Sequence, residues 1–156
     1  MAAEIERKFL VAGESWRTHA DSGARIRQGY IARGGAASVR VRIIGADAFV
    51  TIKSANPGLV RAEFEYPIPI ADAERLLAEA CAPPLIEKTR HAVMVGSRAW
   101  SVDVFEGALA GLMIAEVELG AADEVVEIPL WAGREVTHDP RYRNEALGAG
   151  DSIDTP

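Results

Sequence analysis

Apolar and polar residues alternate along most of this chain, a pattern typical of β-strands with one apolar and one polar face. In the segment 38–44, Val39, Val41 and Ile43 alternate with two arginines. The same period predicts eight strands, at Glu4–Val11, Ala24–Ala32, Ser38–Ile44, Ala48–Ser54, Leu59–Ile70, Leu85–Val95, Ala99–Glu106 and Leu112–Leu119. Short glycine-containing turns between neighbouring strands predict antiparallel hairpins.

Helical spacing is confined to short segments. Asp72–Cys81 carries four apolar residues at helical intervals, and a pair of prolines follows it. Asp139 followed by Pro140 predicts the start of a second helix, which runs to about Leu147. A third, short helix is expected around Trp16.

These elements predict a β-rich α+β fold. Closure into an eight-stranded antiparallel β-barrel, with helices packed outside, is expected because it removes the exposed edges of the sheet. The length of the chain suits a single domain, which we place at residues 1–150. The remaining residues, 151–156, are expected to form a disordered tail.

Nearly every predicted strand carries charged or polar residues at positions i and i+2 of one face. In chain order they are Glu4, Glu6, Lys8, Arg25, Arg27, Arg40, Arg42, Thr51, Lys53, Arg61, Glu63, Glu65, Lys88, Arg90, Ser101, Asp103, Glu116 and Glu118. If the apolar faces form the core, these charges face water, which is the usual arrangement of an antiparallel sheet. In the alternative arrangement, the charges line the lumen of the barrel, and helices or a partner chain cover the apolar faces.

The distribution of charge favours a charged lumen. Acidic residues cluster in the first and last strands, basic residues in the middle strands, and arginine recurs where a forked contact to phosphate oxygens would suit it. The two predicted helices also need an apolar sheet surface to pack on. A lumen crowded with arginines would be unstable when empty, so it implies a polyanion and metal ions held by the carboxylates.

Composition narrows the function classes further. The chain has 17 basic residues and a net charge of −6, which argues against a nucleic-acid-binding surface. Only Lys8, Lys53 and Lys88 are lysines, and an ammonium can lose its proton where a guanidinium cannot. Cys81 is the only cysteine, which excludes an internal disulfide and fits a reducing cytoplasm. We expect neither a membrane helix nor a signal peptide.

Eight motifs in sequence order resemble the CYTH, or triphosphate tunnel metalloenzyme, superfamily. They are Glu4-Ile5-Glu6-Arg7-Lys8, Arg27-Gln28-Gly29-Tyr30, Val39-Arg40-Val41-Arg42, Thr51-Ile52-Lys53, Arg61 to Glu65, Glu87-Lys88-Thr89-Arg90, Asp103-Val104-Phe105 and Glu116-Val117-Glu118. A further match, Arg141-Tyr142-Arg143-Asn144, lies near the end of the chain. The resemblance implies a tunnel of eight antiparallel strands, and it is strongest to short bacterial members that hydrolyse inorganic tripolyphosphate.

The resemblance also implies roles for individual residues. The expected ligands of Mg²⁺ or Mn²⁺ are Glu4, Glu6, Glu116 and Glu118, and the expected triphosphate-binding residues are Lys8, Arg27, Arg40, Arg42, Lys53, Arg61 and Arg90. Glu63 and Asp103 are candidates for a second metal and its attacking water, and Lys88 for the general base. Ser101 stands where some members carry an acid, which leaves the choice between one and two metals open.

The expected function is metal-dependent hydrolysis of a triphosphate, inorganic tripolyphosphate first. The alternatives are a nucleotide-directed activity (nucleoside triphosphatase, thiamine triphosphatase or adenylate cyclase) and a non-catalytic polyphosphate-binding module. We expect no nucleic-acid or membrane partner, and a homodimer would suit any apolar barrel surface left uncovered. The helix around Arg141–Asn144 either closes one end of the tunnel or lies on the surface.

Overall fold

The computed structural model describes residues 2–54 and 61–148, with the backbone alone for 2–4 and 61. The expected tail at 151–156 lies outside these residues. Ten strands lie within them: β1 (Ala2–Glu4), β2 (Glu6–Val11), β3 (Ala24–Ala32), β4 (Ala37–Ile44), β5 (Asp47–Ser54), β6 (Arg61–Pro67), β7 (Ile86–Val95), β8 (Arg98–Phe105), β9 (Met113–Glu118) and β10 (Ala132–Glu135). The α-helices are α1 (Ile70–Glu79) and α2 (Asn144–Gly148), and 3₁₀ helices span Ser15–His19, Gly107–Leu109 and Pro140–Tyr142. The β-rich α+β fold class is thereby confirmed.

All ten strands belong to one antiparallel sheet in the order β1-β6-β5-β4-β3-β7-β8-β9-β2-β10. The predicted first strand is interrupted at Ile5, so that β1 pairs with β6 and β2 pairs with β9. Glu4 lies opposite Arg61, Glu6 lies opposite Glu118, and the Ile5 carbonyl accepts a hydrogen bond from the Leu119 N–H at 2.9 Å. One continuous N-terminal segment therefore pairs with strands near both ends of the sheet.

The apolar face of the sheet is covered by helices on its outer side. Ala73 and Leu77 of α1 pack against Val41, Ile43 and Ala48 of β4 and β5. The predicted helix at Asp72–Cys81 is therefore confirmed, although it begins two residues earlier, directly after Pro69. Burial of these apolar residues is worth roughly 1.5–3 kcal/mol for each large side chain, which fixes the face that α1 covers.

A second apolar cluster covers the other half of the same outer face. Trp16, in the 3₁₀ helix Ser15–His19, is fully buried with Val93, Trp100 and Val102 of β7 and β8. The short helix expected around Trp16 is confirmed. Because neighbouring residues of a strand point to opposite faces, packing of these side chains outward directs the charged positions between them inward.

The predicted C-terminal helix is two short helices. Asp139 accepts a hydrogen bond from the Arg141 N–H at 3.1 Å and caps the 3₁₀ helix Pro140–Tyr142, and the extended backbone of Arg143 separates it from α2. Tyr142 and Leu147 are buried against apolar side chains on the inward face of the sheet, namely Leu10, Ile86, Phe105 and Ile114. The C-terminal segment therefore packs against one end of the inward face, and the surface alternative is wrong. No helix among the described residues is long and apolar enough to cross a membrane.

Candidate functional site

Strand register brings the predicted charged residues together on the inward face. Lys88 of β7 lies beside Ile26 of β3, and Arg90 lies directly opposite Asp103 of β8. Lys8 of β2 lies opposite Glu116 of β9. Arg40, Lys88 and Asp103 are buried, so the arrangement in which this face meets water is wrong.

Asp103 joins Lys88 and Arg90 at the centre of this face. Its Oδ1 and Oδ2 accept hydrogen bonds from Arg90 Nε at 2.7 Å and Nη2 at 2.9 Å. Lys88 Nζ also lies 2.7 Å from Asp103 Oδ2 and forms a close ion pair with it. The Lys88 side chain is 0% exposed and that of Asp103 is 2% exposed, so a single buried carboxylate is shared by two cations.

Burial and neighbouring charges set the proton affinity of these groups. Burial lowers the pKa of Lys88 to about 7; the charge of Asp103 opposes that shift, and the cations Arg90 and Arg42 add to it. Burial disfavours the charged form of Asp103, but Lys88 and Arg90 outweigh it and hold the pKa of that carboxyl well below its usual range. Burial likewise opposes the charge on Arg90, and its hydrogen bonds to Asp103 raise its pKa overall. Lys88 is thus the cation of this group that can lose its proton near neutral pH.

A basic wall lies beside this group on β3 and β4. Arg42 Nε donates to Gln28 Oε1 at 2.7 Å. Arg40 Nη2 lies 3.3 Å from Thr51 Oγ1, whose hydroxyl donates to Glu65 at 2.9 Å. Burial, together with the nearby charges of Arg40 and Arg90, lowers the pKa of Arg42 to about 9. Cations of like sign held this close need an anion to relieve their repulsion.

Glutamates of β2 and β9 form an acidic wall, which faces a cavity on the inward side of the sheet. The cavity has a volume of about 370 Å³ and is lined by Glu6, Arg90, Ala92, Ala99, Trp100, Ser101, Glu116 and Glu118. Lys8 Nζ lies 4.0 Å from Glu6 and 3.9 Å from Glu116. Burial opposes the charge on Glu116, but the charges of Lys8 and Arg90 lower its pKa overall. Lys8 therefore lies between two carboxylates of this wall.

The carboxylates on this wall have the chemistry of a site for a hard divalent cation. Glu6 lies opposite Glu118, and Glu116 lines the same cavity. Among the described side chains, no three Asp, Glu, His or Cys residues come close enough together to enclose a metal ion. Mg²⁺ keeps several waters and needs only one or two carboxylates together with substrate phosphates. The cavity therefore fits a partly hydrated cation rather than a closed protein cage.

The structure moves one predicted binding residue off the site. Arg27 lies on the outer face, where its Nη1 donates to Glu74 of α1 at 2.8 Å, and Arg25 lies on the same face beside Glu87 and Glu106. The prediction that Arg27 binds triphosphate is therefore corrected. Alternation in β3 directs Ile26, Gln28 and Tyr30 inward instead.

The other predicted residues follow the register. Lys53 of β5 lies directly opposite Glu63 of β6, two positions along β5 from the Thr51 that contacts Arg40. The side chains of Glu4 and Arg61 lie outside the described residues. Gln28 and Tyr30 also face inward and were not predicted as site residues, although both belong to the motif Arg27-Gln28-Gly29-Tyr30. The alternation of side chains along β3, with its register set by the turn that leads to β4, would have predicted both.

Comparison with known proteins gives one family. The profile of the CYTH domain matches residues 2–146. The inorganic triphosphatase of Acetivibrio thermocellus is 43% identical over 147 residues, which are 94% of this chain and 94% of that protein. The inorganic triphosphatase of Nitrosomonas europaea is 39% identical over 149 residues, covering 92% of this chain and 95% of that protein.

A solved structure agrees with the sequence comparison. The crystal structure of an inorganic triphosphatase superimposes with a TM-score of 0.70 at 36% sequence identity. The match covers 96% of this chain and 99% of that one. The described strands and the C-terminal segment therefore belong to an architecture shared along nearly the full length of both chains.

Proposed function

The chain belongs to the CYTH domain family, and from that premise we propose that it is an inorganic triphosphatase that hydrolyses tripolyphosphate on the inward face of its sheet. The observation that carries the proposal is a pair of buried donor atoms on that face, Gln28 Nε2 and Arg40 Nε. Within the described part of the chain neither of them has a hydrogen-bond acceptor. Buried donors of this kind are costly, and an anion with many oxygens would satisfy them together.

The N-terminal segment supports a tunnel around that anion. Because β1 pairs with β6 and β2 with β9 across the single residue Ile5, we infer that this segment closes the sheet into the expected barrel. The expected single domain at residues 1–150 follows from that closure, since one sheet would then enclose one site. Apolar packing by Tyr142 and Leu147 narrows one end of the enclosed space.

The basic wall supplies the binding groups for triphosphate. We assign Arg40, Arg42 and Arg90 to its phosphate oxygens, because they line the inward face and can each present forked N–H donors. Three further residues complete the proposed binding site at the two sides of this wall: Lys8, Lys53 and Arg61. Binding on such a surface favours a small, highly charged substrate over a large neutral one.

The acidic wall would hold the divalent cation, Mg²⁺ or Mn²⁺. Glu6, Glu116 and Glu118 line the cavity, and Glu4 precedes Glu6 in the N-terminal segment. When bound, the cation would neutralise charge on the phosphate oxygens of the substrate. A second metal site at Glu63 and Asp103 is not supported, because both oxygens of Asp103 already contact cations.

Lys88 supplies the proton acceptor in this proposal. With a pKa of about 7, a large fraction of its amine is neutral at neutral pH and can accept a proton from water. That water attacks the terminal phosphorus, the bridging P–O bond breaks, and the products are orthophosphate and pyrophosphate. Asp103 holds Lys88 in place and is itself held by Arg90. A module that only binds polyphosphate would gain nothing from a titratable lysine among arginines.

A phosphate-release screen tests the proposed function. The purified protein is mixed with tripolyphosphate, ATP, thiamine triphosphate or pyrophosphate, each with Mg²⁺ or Mn²⁺ and with EDTA as the metal-free control. We expect turnover of tripolyphosphate that EDTA abolishes. Absence of turnover with every substrate and metal would contradict the hydrolase proposal. Faster turnover of ATP or thiamine triphosphate would contradict the assignment of tripolyphosphate as the substrate.

Two arginines on opposite faces provide a matched pair of variants. Arg42→Ala is expected to lower kcat/KM for tripolyphosphate by about 100-fold, because it removes charge-assisted hydrogen bonds worth about 1.5–3 kcal/mol. Arg27→Ala should stay within about twofold of wild type, since the exposed pair that it breaks with Glu74 contributes little. Steady-state kinetics measures both, and an equal loss in the two variants would contradict the assignment of faces.

A further inference from the structure

Gln28 is a fully buried polar residue in the middle of the basic wall. Its Oε1 accepts the hydrogen bond of Arg42 Nε at 2.7 Å, from the residue directly opposite on β4. The orientation of the amide follows from this contact, because an arginine nitrogen can only donate. The other amide atom, Nε2, is buried and has no acceptor within the described residues.

Resting on the proposed function, we propose that Gln28 is a positioning residue for the substrate-binding guanidinium of Arg42. Its amide oxygen fixes the plane of that guanidinium, and its amide N–H donates to an oxygen of the bound triphosphate. Occupation of Nε by Gln28 leaves both terminal nitrogens of Arg42 available for a forked contact to phosphate. The unsatisfied Nε2 then becomes part of the binding site rather than a defect in it.

The choice of an amide instead of a carboxylate supports this role. Arg90, on the same face, is held by the carboxylate of Asp103, which it shares with Lys88. Gln28 orients Arg42 with similar geometry but adds no negative charge, so the positive charge of Arg42 stays available to an anion. A glutamate at this position would hold the guanidinium equally well and would repel the phosphate.

A purely structural role predicts different behaviour from a positioning role. A glutamine that only fills space would affect stability, and its loss would act on turnover to the same extent whether or not Arg42 is present. A positioning residue acts through its partner, so most of its effect must be lost when the partner is removed, and only the part from its own N–H contact with phosphate remains. The two roles are therefore separated by a double-mutant cycle and by the rate at which the Nε–H of Arg42 exchanges with solvent.

The experiment compares Gln28→Met, which keeps volume without hydrogen bonds, with Gln28→Glu, which keeps the acceptor and adds charge. For tripolyphosphate we expect KM to rise about tenfold in Gln28→Met and more in Gln28→Glu, with kcat changed less than about threefold. In an Arg42→Met background the effect of Gln28→Met on KM should fall to about threefold, the part that comes from its own N–H contact with phosphate. An equal effect in both backgrounds, or a wild-type KM in Gln28→Glu, would overturn the proposal.

A second readout needs no turnover. In protein labelled with ¹⁵N-arginine, the Nε–H of Arg42, assigned by its absence in Arg42→Met, should exchange slowly with solvent in the free wild-type protein. Exchange should accelerate at least tenfold in Gln28→Met, and an unchanged rate would overturn the positioning role. If wild type hydrolyses nothing, the proposed function fails, while this exchange measurement still decides whether Gln28 holds Arg42. Should Gln28→Met not fold, Gln28→Glu alone decides through its KM.

Discussion

Lys88→Arg is expected to lower kcat for tripolyphosphate by at least about 100-fold and to change KM by less than about threefold. The variant keeps the positive charge beside Asp103, so substrate binding persists, but a guanidinium cannot serve as a proton acceptor. Loss of a general base of this kind costs roughly 10²–10⁴ in rate. Steady-state kinetics in parallel with calorimetric binding of tripolyphosphate without metal separates the two effects.

The pH profile provides the accompanying check. Because the pKa of Lys88 is lowered to about 7, wild-type kcat/KM should rise with pH and level off above about 7, as the amine loses its proton. This limb should be missing from Lys88→Arg. Lys53→Arg is the matched control, since Lys53 lies on the same inward face but away from Asp103, and it should keep the limb. A near wild-type kcat in Lys88→Arg would remove Lys88 from the chemistry.

Asp103→Asn is expected to destabilise the fold by about 3 kcal/mol or more at neutral pH. Removal of the carboxylate leaves Arg90 without its hydrogen-bonded partner and Lys88 without its ion pair, and breaking a buried ion pair in this way costs about 3–5 kcal/mol. For a chain of this size the loss corresponds to a decrease in Tm on the order of 10 °C. Urea unfolding and thermal melting of the variant measure it directly.

The control for this variant is an exposed pair of the same chemistry. Arg7 also makes two hydrogen bonds to one carboxylate, that of Glu135, but at the protein surface. Glu135→Gln should therefore cost less than about 1 kcal/mol. Since the pKa of Asp103 is lowered in the folded protein, its stabilisation is complete above its ordinary pKa of about 4 and decreases below it. A difference between wild type and Asp103→Asn that stayed constant down to pH 2 would contradict the ion-pair explanation.

The strands and the charged face could be predicted because both follow from a period of two. In β4, for example, Val41 and Ile43 alternate with Arg40 and Arg42. Burial of the two apolar residues under α1 directs the two arginines to the opposite face. The same rule fails where both faces carry charge. Arg27 looked like its neighbours in the sequence, but a glutamate on α1 gives it a partner on the outer face. That partner comes from a distant part of the chain, which local periodicity does not reveal.

Elements that depend on tertiary pairing were missed for the same reason. β10 is four residues long and forms because its backbone reaches β2, not because its sequence alternates strongly. The break at Arg143 turned one predicted C-terminal helix into two, because Tyr142 and Leu147 both reach the inward face. The shared carboxylate of Asp103 also required the register between β7 and β8, which no single strand contains.

The split N-terminal segment has a consequence for the order of folding. β1 and β2 are synthesised first, but their partners β6 and β9 lie in the middle and near the far end of the sequence. Such long loops must close before these contacts form, which makes pairing of this kind slow. The hairpins β4–β5 and β7–β8 have only local loops to close and can form early. Glu6 therefore meets Glu118 late, and the acidic wall is assembled after most of the basic one.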